Sequence, residues 1–289
     1  MPIDKIARDL RAYLDGLVAS DAFSGAVLLA KDDTPFFAEA YGLASKGFNV
    51  PNRVDTKFNL GSMNKMFTAV AIAQLAERGK LAFTDLIGAH LPDYPEEVAA
   101  TVTIHHLLTH TSGLGSYWNE RFEATKARVR TVQDYLTLFI DEPLAFTPGE
   151  RFQYSNAGFI VLGAIVERAS GQDYFDYVRE HVYAPAHMRD TDAYELDRDV
   201  PNLAVGYTHQ RIDGKTEPGE WRNNLFTHAV KGGPAGGGYS TVEDLLHFAT
   251  ALRHNELLTP KFTDLVMTGK VDTDIGVRAT FSRTGEGVD

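Results

Sequence analysis

The pattern of apolar and polar positions is densest just after residue 62. Met66-Phe67-Thr68-Ala69-Val70-Ala71-Ile72-Ala73-Gln74-Leu75-Ala76 is apolar on nearly every side and contains neither Gly nor Pro. That pattern predicts a buried helix, ending at Gly79 after Arg78. Upstream, Ile3, Ile6, Leu10, Leu14 and Leu17 recur at helical spacing and predict an amphipathic helix over 3–19. Residues 24–30 and 35–41 flank Lys31-Asp32-Asp33-Thr34, the composition of a β-hairpin. Residues 43–57, with Asn, Pro and Gly, read as a loop. Further helices are predicted at 104–109, 131–140, 156–169 and 173–182, punctuated by Pro92, Pro95, Pro143, Pro148 and Pro185. Ser240-Thr241-Val242-Glu243 reads as a capping box opening a helix over 244–253, and Thr259-Pro260 starts another. Alternation over 275–283 predicts a strand. The element order gives an α/β (α+β) chain: a sheet lobe from 1–60 and 203–289, interrupted by a helical lobe from 61–202.

Composition narrows the function classes. The 289 residues carry a net charge of −11 with no strong Lys/Arg cluster, which argues against nucleic acid or an anionic membrane as partner. There is no cysteine, so disulfides, thiol catalysis and Cys-ligated metals are excluded. The N-terminal residues lack a basic-then-apolar leader pattern, and the longest apolar stretch is too short to span a bilayer. The chain therefore reads as cytoplasmic.

Candidate chemistry begins immediately before the buried helix. Ser62 and Lys65 form S-x-x-K; on a helical turn they share a face. A hydroxyl then sits at a helix N-terminus beside an amine, the setting in which a serine nucleophile is activated and its oxyanion held. The spacing alone fits a capping serine followed by a surface lysine better than a nucleophile. Two Y-x-N triplets offer partners. Tyr154-Ser155-Asn156 follows a Pro148-Gly149 turn in a short extended run, where i and i+2 point the same way, so Tyr154 and Asn156 both face Ser62. Tyr117-Trp118-Asn119 lies beside Gly113 and Gly115 in what reads as an exposed loop, and Tyr117 and Trp118 read as pocket wall. His105, His106 and His110 have no carboxylate among them and no H-E-x-x-H spacing, so a helix-plus-turn role outweighs a metal site. Gly232–Gly238 lacks the ending of a phosphate loop and reads as a tight turn or a close backbone approach. No G-x-S-x-G elbow is present.

Taken in order, Ser62-x-x-Lys65, His106-Leu107-Leu108-Thr109-His110-Thr111-Ser112-Gly113-Leu114, Tyr154-x-Asn156 and Pro234-Ala235-Gly236-Gly237-Gly238-Tyr239-Ser240-Thr241 resemble the serine β-lactamase-like superfamily of class C β-lactamases and penicillin-binding proteins, closest to the family VIII carboxylesterases. The resemblance runs from about residue 3 to about residue 270. It implies a mixed, mostly antiparallel sheet flanked by helices, an all-helical lobe and an active site between them. It implies Ser62 as acylated nucleophile, Lys65 and Tyr154 sharing general-base and general-acid work, and Asn156 orienting Lys65 or substrate. It implies no metal and no cofactor, and a small-molecule ester or amide as substrate. A Lys beside a second hydroxyl at a helix N-terminus is expected to lose its proton readily.

Two departures from that family pattern stand out. The third motif, K-T-G or H-x-G on a strand beside Ser62, has no convincing match: Lys231-Gly232-Gly233 comes too early, and Arg283-Thr284-Gly285 is followed by only four residues. The C-terminal strands are therefore expected to be missing. That would expose a sheet edge and call for a homo-oligomer or a complementing C-terminal segment. The second departure is Gly236, where class C enzymes usually carry an aromatic wall; a glycine there is expected to open the pocket, with Gly237 beside it. Both the open wall and the cytoplasmic reading favour a carboxylesterase on short-chain or aryl esters. The competing readings are a β-lactamase or D-alanyl-D-alanine peptidase, and a catalytically impaired or non-enzymatic binding protein.

Overall fold

The computed structural model describes residues 2–211, 214–217, 219–272 and 278–279. Helix α1 (Ile3–Ala19) follows the expected amphipathic spacing and buries Leu14. Strands β1 (Gly25–Lys31) and β2 (Thr34–Tyr41) form the expected antiparallel hairpin, from Gly25 opposite Tyr41 to Lys31 opposite Thr34. Asp32 and Asp33 both take positive φ, 49° and 64°, the two-residue turn whose twist matches that of the strands. The expected loop 43–57 contains two short antiparallel strands, β3 (Leu43–Ser45) and β4 (Val50–Pro51). Their length hides them from pattern reading. They are held from outside the segment, as by Val205 N–H donating to the Ala44 carbonyl at 2.9 Å.

Strand β5 (Phe58–Asn59) leads through a 3₁₀ turn, Gly61–Asn64, into α2 (Lys65–Glu77). Helix α2 is buried on every side from Phe67 to Leu75, as its unbroken apolar run requires. It ends at Arg78, and Gly79 follows with φ 66°, a conformation a Cβ would oppose. Short helices follow: α3 (Ile87–His90), α4 (Glu96–Ala99), α5 (Ile104–Leu108), α6 (Glu120–Thr125) and α7 (Val132–Leu136). Of these α3, α4 and α6 were not expected, because one turn of helix is too short to show a 3.6-residue period. Helix α7 is shorter than the expected 131–140 and continues as turns through Ile140.

Helix α8 (Asn156–Ser170) packs against α2, α5, α7 and α9 (Tyr174–Val178) and is the centre of the helical core. Ile72, Ile160, Leu162, Ile165 and Val166 are fully buried there, each large aliphatic side chain contributing about 1.5–3 kcal/mol of transfer free energy. A π turn over Arg179–Tyr183 extends α9 across the expected 173–182.

Strands β6 (Tyr207–Thr208) and β7 (Arg222–Asn223) pair with each other, and β8 (Tyr239–Ser240) pairs with β5. Helix α10 (Val242–Arg253) begins two residues before the expected 244, and its cap is Thr241 rather than Ser240. Thr241 caps the Asp244 N–H, and the Asp244 carboxylate turns away to accept from Arg189 N, Asp190 N and Thr191 Oγ1. Helix α11 (Pro260–Met267) starts behind Thr259 as expected. Strand β9 (Val271–Asp272) pairs with β10 (Arg278–Ala279). Of the strand expected over 275–283, residues 275–277 and 280–283 lie outside the described residues.

Every described ladder is antiparallel, and the bridge between Lys57 and Leu203 is parallel. The chain is thus mixed α/β with mostly antiparallel strands. Among the described residues no helix is long and apolar enough to cross a membrane.

Helix α8 approaches the glycine-rich segment closely. A Cβ on Gly163 would lie 2.2 Å from Pro234 Cγ. Gly163→Ala is therefore expected to destabilise the fold by about 1–3 kcal/mol through overpacking, read as a lowered urea midpoint with unchanged slope.

Candidate active site

The geometry around Ser62 is set by the start of α2. Ser62 lies in the 3₁₀ turn, where residues three apart eclipse one another, and Lys65 is the first residue of the α-helix. Lys65 Nζ is 3.3 Å from Ser62 Oγ. It also donates to Asn156 Oδ1 at 2.8 Å and to the Ala235 carbonyl at 2.5 Å. From the opposite side the Tyr154 hydroxyl donates to Ser62 Oγ at 2.5 Å. The structure thus brings Ser62, Lys65, Tyr154 and Asn156 to one point.

The route by which Tyr154 and Asn156 converge differs from the expected alternation along one strand. Asn156 is already the first residue of α8, and Ser155 is its cap, accepting from Gly158 N–H at 2.9 Å and donating to the Gly115 carbonyl at 2.9 Å. A loop-to-helix corner, rather than a pleat, directs the two side chains. The corner is fixed because Ser155 is buried and both hydrogen-bonding capacities of its hydroxyl are used.

Burial controls the electrostatics. Lys65 is only 8% exposed, and desolvation lowers its pKa to about 7. An amine at that value is about half neutral at neutral pH. The expected contribution of the helix N-terminus is not needed for this shift, since burial of the ammonium is itself unfavourable. The Tyr154 phenol is raised above its ordinary value by desolvation, an effect opposed by its hydrogen bond to Ser62. It remains protonated where Lys65 titrates. The Ser62 N–H has no acceptor among the described residues and is free to receive an oxyanion at the head of α2.

Tyr117, Trp118, Gly236 and Gly237 line the cleft over Ser62, together with Phe122 and Tyr135. Two readings of these residues change. Tyr117 is buried at 6% exposure rather than part of an exposed loop; it stacks on Trp118 at 5.8 Å and meets Tyr135 edge-on at 5.0 Å. Gly236 lines the cleft and is also where two backbones meet. A Cβ there would meet the Gly61 carbonyl oxygen at 2.9 Å and Ser62 N at 3.5 Å, so the glycine is required by backbone approach. The turn around it is tight: Gly233 N–H donates to the Gly236 carbonyl at 2.8 Å, and Gly236 N–H to the Gly233 carbonyl at 3.1 Å. Thr68 Oγ1 donates to the Pro234 carbonyl at 2.8 Å, and with Lys65 on Ala235 it pins this turn to α2.

One residue at the site was read only as part of a helix and turn. His110 stacks on Tyr154 with ring centroids 4.6 Å apart, and its Nδ1 accepts the Ser155 N–H at 3.0 Å. Its positive φ of 58° is invisible in sequence, though its place in the His106–Leu114 block marks it. His106 instead joins Thr103 in capping α5. Arg283-Thr284-Gly285 lies outside the described residues.

The beta-lactamase family matches residues 10–288. The chain belongs to the beta-lactamase family. It is 30% identical over 261 residues to penicillin-binding protein 4* of Bacillus subtilis, covering 87% of this chain and 57% of that protein. It is 32% identical over 291 residues to esterase EstB of Burkholderia gladioli, covering 89% of this chain and 72% of that protein. The crystal structure of a penicillin-binding protein from Bacillus halodurans superposes with a TM-score of 0.79 at 37% identity, covering 90% of this chain and 78% of that one. The chain thus spans little more than half the length of the Bacillus subtilis relative. Family membership accounts for the helical core and antiparallel strands around one cleft; which bond is cleaved depends on the cleft itself.

Gly236→Ala is expected to push the Gly61–Ser62 backbone, lowering stability by about 1–3 kcal/mol and slowing fluorophosphonate labelling of Ser62. Unchanged melting and labelling would return Gly236 to the role of an open wall.

Proposed function

We propose that this chain is a serine hydrolase that forms an acyl-enzyme on Ser62 and acts as a carboxylesterase on short-chain or aryl esters. The observation that carries the choice of substrate is the neutrality of the cleft. Among the described residues lining it none is Asp, Glu, Lys or Arg, and its walls include Tyr117, Trp118, Phe122, Tyr135, Leu196 and Tyr239. β-Lactams and D-alanyl peptides carry a carboxylate that such walls would leave unpaired, whereas an uncharged ester loses little on entering. The similarity to esterase EstB agrees with this reading.

In the proposed sequence Ser62 Oγ attacks the ester carbonyl and its proton passes to neutral Lys65. The Ser62 N–H receives the oxyanion. The C–O bond to the alcohol breaks as Tyr154 donates its proton to the leaving oxygen, and the proton held on Lys65 then neutralises the Tyr154 phenolate. Water then attacks the acyl-enzyme by the same proton route in reverse, releasing the acid and restoring Ser62. Asn156 keeps the amine aimed at Ser62.

A second reading, an amide-cleaving β-lactamase or D-alanyl-D-alanine peptidase, uses the same four side chains and is supported by the two penicillin-binding relatives. A chromogenic cephalosporin and p-nitrophenyl butyrate separate the two. Preferential turnover of the butyrate, abolished in Ser62→Ala, is expected. Faster cephalosporin turnover would favour the second reading, and no labelling of Ser62 by a fluorophosphonate would reduce the chain to a binding protein.

The pH profile follows from Lys65. Its amine must be neutral to accept the serine proton, so kcat/KM is expected to rise with pH through about 7 and level off above it. Lys65→Met removes that base and is expected to lower kcat by about 10²–10⁴-fold. A rate already level at pH 5, read in a stopped assay, would remove Lys65 from the base role.

A further inference from the structure

The segment 153–156 carries Tyr154 and Asn156, and a single residue from a distant loop touches it three times. The His110 carbonyl accepts Gln153 N–H at 2.8 Å. The His110 Nδ1 accepts Ser155 N–H at 3.0 Å. The His110 ring lies against Tyr154, centroids 4.6 Å apart and planes inclined by 29°. Behind it the ring packs on Phe159 at 5.2 Å, one turn along α8 from Asn156. Lys65 Nζ completes the arrangement, 4.8 Å from the centre of the Tyr154 ring and 5.4 Å from that of Phe159.

We infer that His110 is the positioning residue of the site, a three-point clamp that holds Tyr154 and Asn156 at their distances from Ser62 and Lys65. The inference rests on the proposed acyl-enzyme chemistry for its effect on rate. The clamp needs an imidazole with a free lone pair on Nδ1, so the ring proton must sit on Nε2. Burial, with Lys65 as the charged neighbour, keeps the ring neutral by lowering its pKa to about 4. The left-handed backbone at 110, φ 58°, turns the carbonyl toward Gln153 while the ring reaches Ser155. Neither contact alone would fix the Tyr154 ring, because a backbone hydrogen bond leaves χ1 free and a stack leaves the backbone free. Together they leave the phenol one direction, toward Ser62 Oγ.

Two substitutions tolerate the positive φ and separate clamp from bulk. His110→Gly removes ring and acceptor; His110→Asn keeps an acceptor near the position of Nδ1. For p-nitrophenyl butyrate, His110→Gly is expected to lower kcat by about 10²-fold, the loss typical of a reacting group misplaced by about 1 Å, while KM changes by less than about threefold. His110→Asn is expected to recover to within about tenfold of wild type, the part still lost reflecting the missing stack. A His110→Gly enzyme with wild-type kcat, or one rescued no better by Asn, would overturn the inference. If the wild type turns over no ester and Ser62 takes no fluorophosphonate, the chemical reading fails instead. The clamp is then judged by nitrogen NMR at neutral pH. An unprotonated His110 Nδ1 that shows coupling across the hydrogen bond to the Ser155 amide nitrogen supports it; a proton on Nδ1 refutes it.

Discussion

A lysine amine held almost entirely out of water is the constraint on which the rest of this structure depends. An ammonium loses several kcal/mol of hydration on burial unless acceptors replace the water. Lys65 finds three, on three separate stretches of chain: Ser62 Oγ at the head of α2, Asn156 Oδ1 at the head of α8 and the carbonyl of Ala235 in the glycine-rich turn. Each stretch must therefore be brought to within 3.3 Å of one nitrogen. The compensation is incomplete, which is why the amine titrates near neutrality. A fully satisfied lysine would remain an ammonium and a poor base; a solvated one would not be held beside the serine.

That convergence explains the packing around it. The apolar run of α2 drives the helix into the core and takes Lys65 with it. Helix α8 lies alongside because its own run from Ala157 to Val166 is buried, and its capped start delivers Asn156. The turn from Gly233 to Gly236 reaches the amine only because side chains are absent where backbones meet. A Cβ at Gly232 would lie 2.3 Å from the backbone of Gly237, and one at Gly238 2.6 Å from the Asn64 amide. The glycines of this segment are spacing devices for Ala235, so their number says nothing about phosphate or about an open substrate wall.

The proposed nucleophile and its proton route do not by themselves select a substrate. Relatives of comparable identity include an esterase and penicillin-binding proteins, and the proposed roles of the four side chains fit acyl transfer from either an ester or an amide. The lining of the cleft bears on that choice, and among the described residues its aromatic and small side chains include no Asp, Glu, Lys or Arg. Walls without Asp, Glu, Lys or Arg among the described residues discriminate by shape and desolvation, which favours neutral acyl groups over anionic ones.

Sequence alone determined the local events, because each is decided by neighbours a few residues away. The 3–19 helix, the hairpin turn at Asp32–Asp33 and the buried helix after Ser62 follow from periodicity and turn chemistry, and the three-residue spacing marks Ser62 and Lys65 as candidates. The ordered motifs added the family and with it Tyr154 and Asn156. Tertiary structure decided everything that depends on which distant segments touch. It showed that the Gly61 carbonyl faces Gly236, that Tyr117 is buried, and that the Asp244 carboxylate holds the turn at 189–191. It also brought His110 against Tyr154 across 44 positions of chain. No pattern in sequence encodes such a contact, because the forces that make it, packing and desolvation, act on the folded chain as a whole.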